Sequence, residues 1–147
     1  MGKKEKSPAR KFLERDEMLA VQIECLLAEK EQWHDMAGKI TASMDGEKVQ
    51  SSGPKSKIEE AAVACVDTED EILQTVKKLR AERKRITEVL GRLDNPTWYK
   101  LLHMKYIQRF TLEQIADKYN ASYDWAKTTH GRALGAVQAI LDRKDLS

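Results

Sequence analysis

Little in this chain interrupts a helix. Its 147 residues include only three prolines and seven glycines, and aromatic residues make up 6% against 34% charged. That balance suits long exposed helices and leaves little material for a large core. No apolar run approaches the roughly 20 residues needed to span a bilayer, so no membrane partner is expected. Cysteine is scarce. Cys25 and Cys65 lack metal-ligand spacing, and no signal peptide is visible, so a reduced cytoplasmic compartment is expected. The three histidines, His34, His103 and His130, are scattered. No glycine-rich phosphate loop, nucleophile elbow or paired-carboxylate signature is present. The expectation is a protein that is not an enzyme and uses no cofactor and no metal.

Charge is unevenly placed. The net value is only +2, yet residues 12–76 hold 15 acids against 6 bases, and residues 77–109 hold 10 bases against 3 acids. The first eleven residues are basic as well, and read as a flexible tail. A basic block of this kind either neutralises nucleic-acid phosphates or solvates a helix face and pairs with the acidic half.

The first half repeats in sevens. Phe12, Leu19, Leu26, Trp33 and Ile40 form one run, with Ile23, Ala37 and Met44 as partners. Ile58, Cys65, Ile72, Leu79, Ile86 and Leu93 form another, with Ala62, Val76 and Leu90. Apolar residues at this period favour helices packed as in a coiled coil. A polar stretch near residues 45–57, with two glycines and a proline, reads as a loop. Residues 12–93 are therefore expected to fold as a long antiparallel helical hairpin. Its register pairs Ile40 with Ile58, Trp33 with Cys65, Leu26 with Ile72, Leu19 with Leu79 and Phe12 with Ile86. Cys25 then lies roughly 12 Å from the level of Cys65, too far for a disulfide. Val21, Leu27, Val63 and Val66 are left over as a second apolar face, available to a second copy of the chain or to the C-terminal domain.

Residues 94–147 read differently. Asn95 caps a helix that begins at Pro96 and runs to about Gln108. It carries Leu101, Leu102, Met104 and Ile107, and it braces the two helices after it. Thr111 and Gln114 form a capping box. Leu112, Ile115, Ala116 and Tyr119 then share a face. Asn120 suits a left-handed break, Ser122 caps the next helix, and Asp124 lies in its positive first turn. Ala126, Thr129, Ala133, Leu134 and Val137 give that helix its inward side. Trp125 is expected to be partly buried. Gly131 and Gly135, four apart, suggest the close approach of a neighbour. Two capped helices with so short a break form a helix-turn-helix.

These residues carry a resemblance. Thr111-Leu112-Glu113-Gln114-Ile115, Asn120, Ser122 and Gly131-Arg132-Ala133-Leu134 resemble region 4 of sigma factors. His130-Gly131-Arg132-Ala133-Leu134 resembles more closely the small sigma-like regulators of Gram-positive bacteriophages, of the ArpU and RinA type. The resemblance covers residues 95–141. It implies an all-α chain, with the helical hairpin followed by a three-helix sigma-region-4-like DNA-binding domain. It also implies a phage or prophage transcription regulator, acting in the bacterial host cytoplasm and activating late or packaging genes. Tyr123, Asp124, Lys127 and Thr128 fall where that family contacts bases or phosphate, and Arg132 falls near a phosphate contact. Thr111, Gln114 and Ser122, at helix starts, are further DNA-binding candidates. The helix opens Tyr123-Asp124-Trp125, where sigma factors alternate Arg and Glu, so a different DNA sequence is expected to be read. No second sigma-like region is visible, which argues against promoter melting. Double-stranded DNA is the expected partner, with a homodimer formed through the hairpin and RNA polymerase as a further candidate. Two other readings use the same features: a small-terminase-like DNA-packaging protein, and a module that binds RNA polymerase or a sigma factor.

Overall fold

A computed structural model describes residues 6–44 and 53–143. The regular structure among them is entirely helical. In chain order the helices are α1 (Pro8–Leu13), α2 (Glu17–Met44), α3 (Gly53–Leu90), α4 (Pro96–Leu102), α5 (Leu112–Lys118) and α6 (Tyr123–Leu141). A π turn, His103–Ile107, continues α4. None of these helices is long and apolar enough to cross a membrane.

The chain divides into two compact units. One joins the residues up to Glu17 to those from Arg80 onward, and the other runs from Met18 to Leu79. These divisions are not the ranges 1–11, 12–93 and 94–147 that patterning suggests.

The unit from Met18 to Leu79 is a narrow seam between α2 and α3. Leu19, Ile23, Leu26, Trp33, Ala37 and Ile40 are half-buried on α2, as are Ile58, Cys65 and Ile72 on α3. Lys30 Nζ lies 3.0 Å from Glu69 Oε1. That is one residue from the partner the heptad register implies. Both cysteines are free thiols, and the Cys65 Sγ sits 3.8 Å from the Lys30 carbonyl. The partner row on α3 differs from the one expected. Ala62 is exposed, while Ala61 and Thr68 are buried. Thr68 joins a hydrophobic seam because its hydroxyl donates to the Ala64 carbonyl at 2.7 Å, leaving the methyl group to pack. Two helices can bury only one stripe each, so Val21, Leu27, Val63, Val66 and Leu73 remain exposed.

The expected loop near 45–57 lies partly outside the described residues. Its last part is helical, since α3 already begins at Gly53. Pro54 is tolerated there because first-turn N–H groups have no helical acceptor to lose.

The other unit has the larger core. Leu13, Ile86, Leu90, Leu101, Leu102, Ile115 and Val137 are fully buried in it. The last four lie on the inward sides of α4, α5 and α6 that patterning predicts, and Ile86 and Leu90 are heptad positions of α3. Leu13 stands outside every repeat. It comes from α1, most of which falls in the expected basic tail. Ser7 caps α1 by accepting from the Arg10 N–H, and Pro8 sits in the first turn. The Ala9 N–H, orphaned at the helix start, donates to Gln138 Oε1 of α6 at 2.9 Å. Ala9 is fully buried beneath that contact. The heptad residue Phe12 packs against this core and does not extend the α2 seam.

A charged joint comes after α1. Asp16 is completely buried. Its Oδ2 accepts from Arg83 Nε at 3.0 Å, and its Oδ1 faces Arg109 Nη2 at 3.6 Å. Arg15 pairs with Glu82 at 3.1 Å. The pairs Asp16–Arg83 and Arg15–Glu82 both fall within one residue of the expected register. Arg109 has φ 64, a left-handed backbone that costs a non-glycine residue about 1 kcal/mol. It ends the π turn, and Phe110 N–H reaches back to the Met104 carbonyl at 2.9 Å.

Candidate nucleic-acid interface

The helix starts form as the local sequence dictates. Asn95 Oδ1 accepts from the N–H groups of Thr97 and Trp98 and caps α4. Thr111 Oγ1 accepts from the Gln114 N–H at 3.2 Å, and Gln114 Oε1 accepts from the Thr111 N–H at 2.9 Å. Between α5 and α6, Asn120 takes φ 51. The Ala121 N–H then bonds the Ala116 carbonyl, and the Asn120 N–H bonds the Asp117 carbonyl. This double bond pattern closes a helix through a left-handed residue and lets the chain turn within three residues. Ser122 Oγ accepts from the Trp125 N–H at 3.0 Å and starts α6.

Packing then fixes which side of α6 faces outward. Ala126, Thr129, Ala133, Val137 and Ile140 are buried. Trp125 is half-buried, with its ring 5.1 Å from that of Tyr119 and tilted by 50°. Opposite them, Tyr123, Asp124, Lys127, Thr128, Gly131, Arg132 and Gly135 are all exposed. The structure thus gathers five candidate residues, Tyr123, Asp124, Lys127, Thr128 and Arg132, along one side of α6. Thr111 and Gln114 stand exposed at the start of α5, and Ser122 at the start of α6. The acceptor oxygens of these three are occupied by their own caps. What they retain for a ligand is hydroxyl and amide donor capacity.

Gly131 and Gly135 do not admit a neighbour within the chain. A Cβ at either position would meet nothing within 4 Å. They lie on the outward side of α6, so the four-residue spacing marks open surface there and not a packed contact.

His130 points elsewhere. Its Nε2 lies 2.7 Å from the Tyr106 hydroxyl, and the two rings stack with centroids 5.7 Å apart. Burial pushes the imidazole down to about 4, helped by the nearby positive charges of Lys105 and Arg10. Burial also raises the Tyr106 hydroxyl. Both groups are therefore neutral near pH 7, with Tyr106 donating and His130 accepting. This is a structural pair and not a phosphate contact. Between pH 6.5 and 4 the unfolded chain binds a proton that the folded chain refuses, so stability must fall as pH drops through that window. The melting temperature is expected to decline from pH 6.5 to 4, and His130→Gln should flatten the decline. An equally steep slope in the variant would assign the effect to carboxylates.

Positive charge surrounds this surface. Lys118 Nζ lies 4.7 Å from the Phe110 ring centre, and Lys100 Nζ lies 5.7 Å from that of Tyr119. Of the basic block at 77–109, Arg83 and Arg109 are in ion pairs among the described residues. The acidic first half therefore does not neutralise most of it. Two features have no signal in the sequence. Gln138 anchors α1, a contact between residues 9 and 138 that no local pattern marks. His103, isolated in the sequence, is held in place beside the basic end of α3. Among the described residues no group of His, Cys, Asp and Glu could hold a metal ion.

No curated protein and no solved structure matches the chain. A family model described as "Protein of unknown function (DUF1492)" matches residues 39–140, which takes in most of α3 and all of α4 and α5 with nearly all of α6. That match spans more than half of the chain, and the protein belongs to the DUF1492 family.

Proposed function

We propose that the protein is a sequence-specific DNA-binding transcription regulator of phage or prophage type. In this reading α2 and α3 form an antiparallel coiled-coil-like hairpin. Helices α4, α5 and α6 form a sigma-region-4-like helix-turn-helix, and α6 enters the major groove. The observation that carries it is the outward side of α6, where Tyr123, Asp124, Lys127, Thr128 and Arg132 are all exposed opposite a buried apolar side. Lys127 and Thr128 offer donors to base edges or phosphate. Asp124 offers an acceptor that suits a cytosine amino group. Gly131 and Gly135 keep the next two turns low, so DNA can come close to the backbone.

A single helix-turn-helix makes few base contacts. Two linked copies gain affinity because the second binding event becomes effectively intramolecular. The exposed residues Val63, Val66 and Leu73 on α3 supply an apolar surface for that pairing. The compartment is the cytoplasm of the bacterial host. Activation of late or packaging genes is the regulatory sense that the sigma-like resemblance carries.

Selection of bound duplexes from a random pool by the full-length protein tests the reading. An enriched sequence with two half-sites is expected, bound by a species of twice the monomer mass in light scattering. Lys127→Ala with Thr128→Ala should weaken binding to that sequence by about 1–3 kcal/mol for each base pairing removed, with helix content unchanged. Undiminished affinity in the folded double variant would remove α6 as the reading helix.

A further inference from the structure

Beside the C-terminal end of α3 lies an open groove of about 530 Å³, with Arg80, Arg83, Lys84, Thr87 and His103 among its lining residues and no acidic side chain. Its groups are not equivalent. The Arg83 guanidinium is turned to buried Asp16, with Nε 3.0 Å from Oδ2. The Thr87 hydroxyl is spent on the Lys84 carbonyl, 3.1 Å away. Arg80 and Lys84 are exposed and make no ion pair among the described residues.

His103 is different again, because two neighbours hold it. Its ring stacks on Tyr99, with centroids 6.3 Å apart and planes 10° from parallel. Its Nδ1 lies 2.9 Å from Gln108 Nε2. An amide nitrogen can only donate, so Nδ1 accepts and the imidazole hydrogen sits on Nε2. The groove therefore offers two flexible cations and one positioned N–H donor. A phosphodiester needs that combination, since it carries a single charge on two unesterified oxygens. The cations are on the surface and the groove is open. It suits a backbone passing across it better than an engulfed small anion.

We infer that the Arg80–Lys84–His103 groove holds a backbone phosphate of double-stranded DNA, outside the base pairs that α6 reads. The inference rests on the proposal that α6 enters DNA, and it adds a second contact on a different element. Such a contact raises affinity for every sequence equally, because phosphates carry no base information.

The test is a salt titration of the full-length protein against a labelled random-sequence duplex, monitored by fluorescence anisotropy from about 50 to 200 mM salt. Each cation that leaves a phosphate lowers the slope of log K against log salt by about 0.9. Arg80→Ala with Lys84→Ala should therefore lower it by about 1.8, with an unchanged circular dichroism spectrum. His103→Ala should weaken binding at fixed salt without changing the slope, since a neutral donor releases no counterion. His103→Gln, which keeps a donor, should restore part of that loss. An unchanged slope in the Arg80/Lys84 variant, alongside a reduced slope in Lys127→Ala, would overturn the groove and leave α6 standing. The reverse pattern would support the groove and overturn the placement of α6. No duplex binding by the wild type at low salt would overturn both. Inorganic phosphate that, at millimolar levels and constant ionic strength, displaces duplex from the wild type would assign the groove to a small phosphate ligand and overturn the DNA assignment.

Discussion

A chain that begins at Asp94 is expected to show no cooperative melt. The repeat pattern makes Asp94 an obvious place to cut, because the heptads end at Leu93 and a new capped helix starts at Pro96. The core ignores that boundary. Ala9, Leu13, Ile86, Val89 and Leu90 pack in one cluster with Leu101, Leu102, Ile115 and Val137. Removing buried Leu or Ile side chains costs about 2–5 kcal/mol each. Losing Leu13, Ile86 and Leu90 together approaches or exceeds the whole stability of an ordinary domain, about 5–15 kcal/mol. A milder cut, removing residues 1–13 only, takes away Ala9, Phe12 and Leu13 and uncovers their partners. It should cost at least about 3 kcal/mol and leave a chain that still melts, at a lower temperature. Thermal melts monitored by circular dichroism separate the cases. A sharp transition and dispersed amide resonances from the Asp94 fragment would mean that α4 to α6 fold without α1 and α3, and that the packing of Leu13 adds little.

The range of each interaction decides how much of this architecture is legible in the sequence. The caps at Asn95, Thr111 and Ser122 and the break at Asn120 are legible because each depends on atoms within four residues. The heptad seam is legible because burial along a long helix repeats. Its second row is not, since Thr68 counts as polar in any apolar pattern until its hydroxyl is seen bonded to Ala64. Helix α1 has six residues, too few to show a period, and its anchor is 129 positions away. The π turn at His103–Ile107 replaces the last turns of an apparently ordinary helix. Nothing local marks it, because the widening is imposed by the left-handed exit at Arg109. For the candidate interface, the sequence suffices to choose Tyr123, Asp124, Lys127, Thr128 and Arg132, since the buried side of α6 decides its exposed one. The groove at His103 is not legible, because it needs α3 and the π turn side by side.

The second large effect is expected at the buried carboxylate. Asp16 has no exposed surface, and its strong partner is Arg83, with Arg109 at a looser 3.6 Å. Arg83→Met would leave a charge inside the protein with one oxygen, Oδ1, already lacking a hydrogen-bond donor. Breaking a buried pair from one side costs about 3–5 kcal/mol. Arg83 keeps 36% of its side chain in water, so the lower end, about 3 kcal/mol, is the expected loss, or roughly 10 °C in melting temperature. Asp16→Asn should cost less, because it removes the buried charge and leaves two arginines that can still reach water. Combining the two should cost less than the sum of the singles, since the uncompensated carboxylate no longer exists once Asp16 is neutral. The arrangement also ties three distant segments to one residue: the joint after α1, the end of α3 and the left-handed turn at Arg109. If the charge holds that turn, Arg83→Met should disturb amide resonances at Arg109 and Phe110 as well as near Asp16. Strict additivity of the two substitutions, with Arg109 unmoved, would reduce Asp16 to an isolated pair with no part in placing α5.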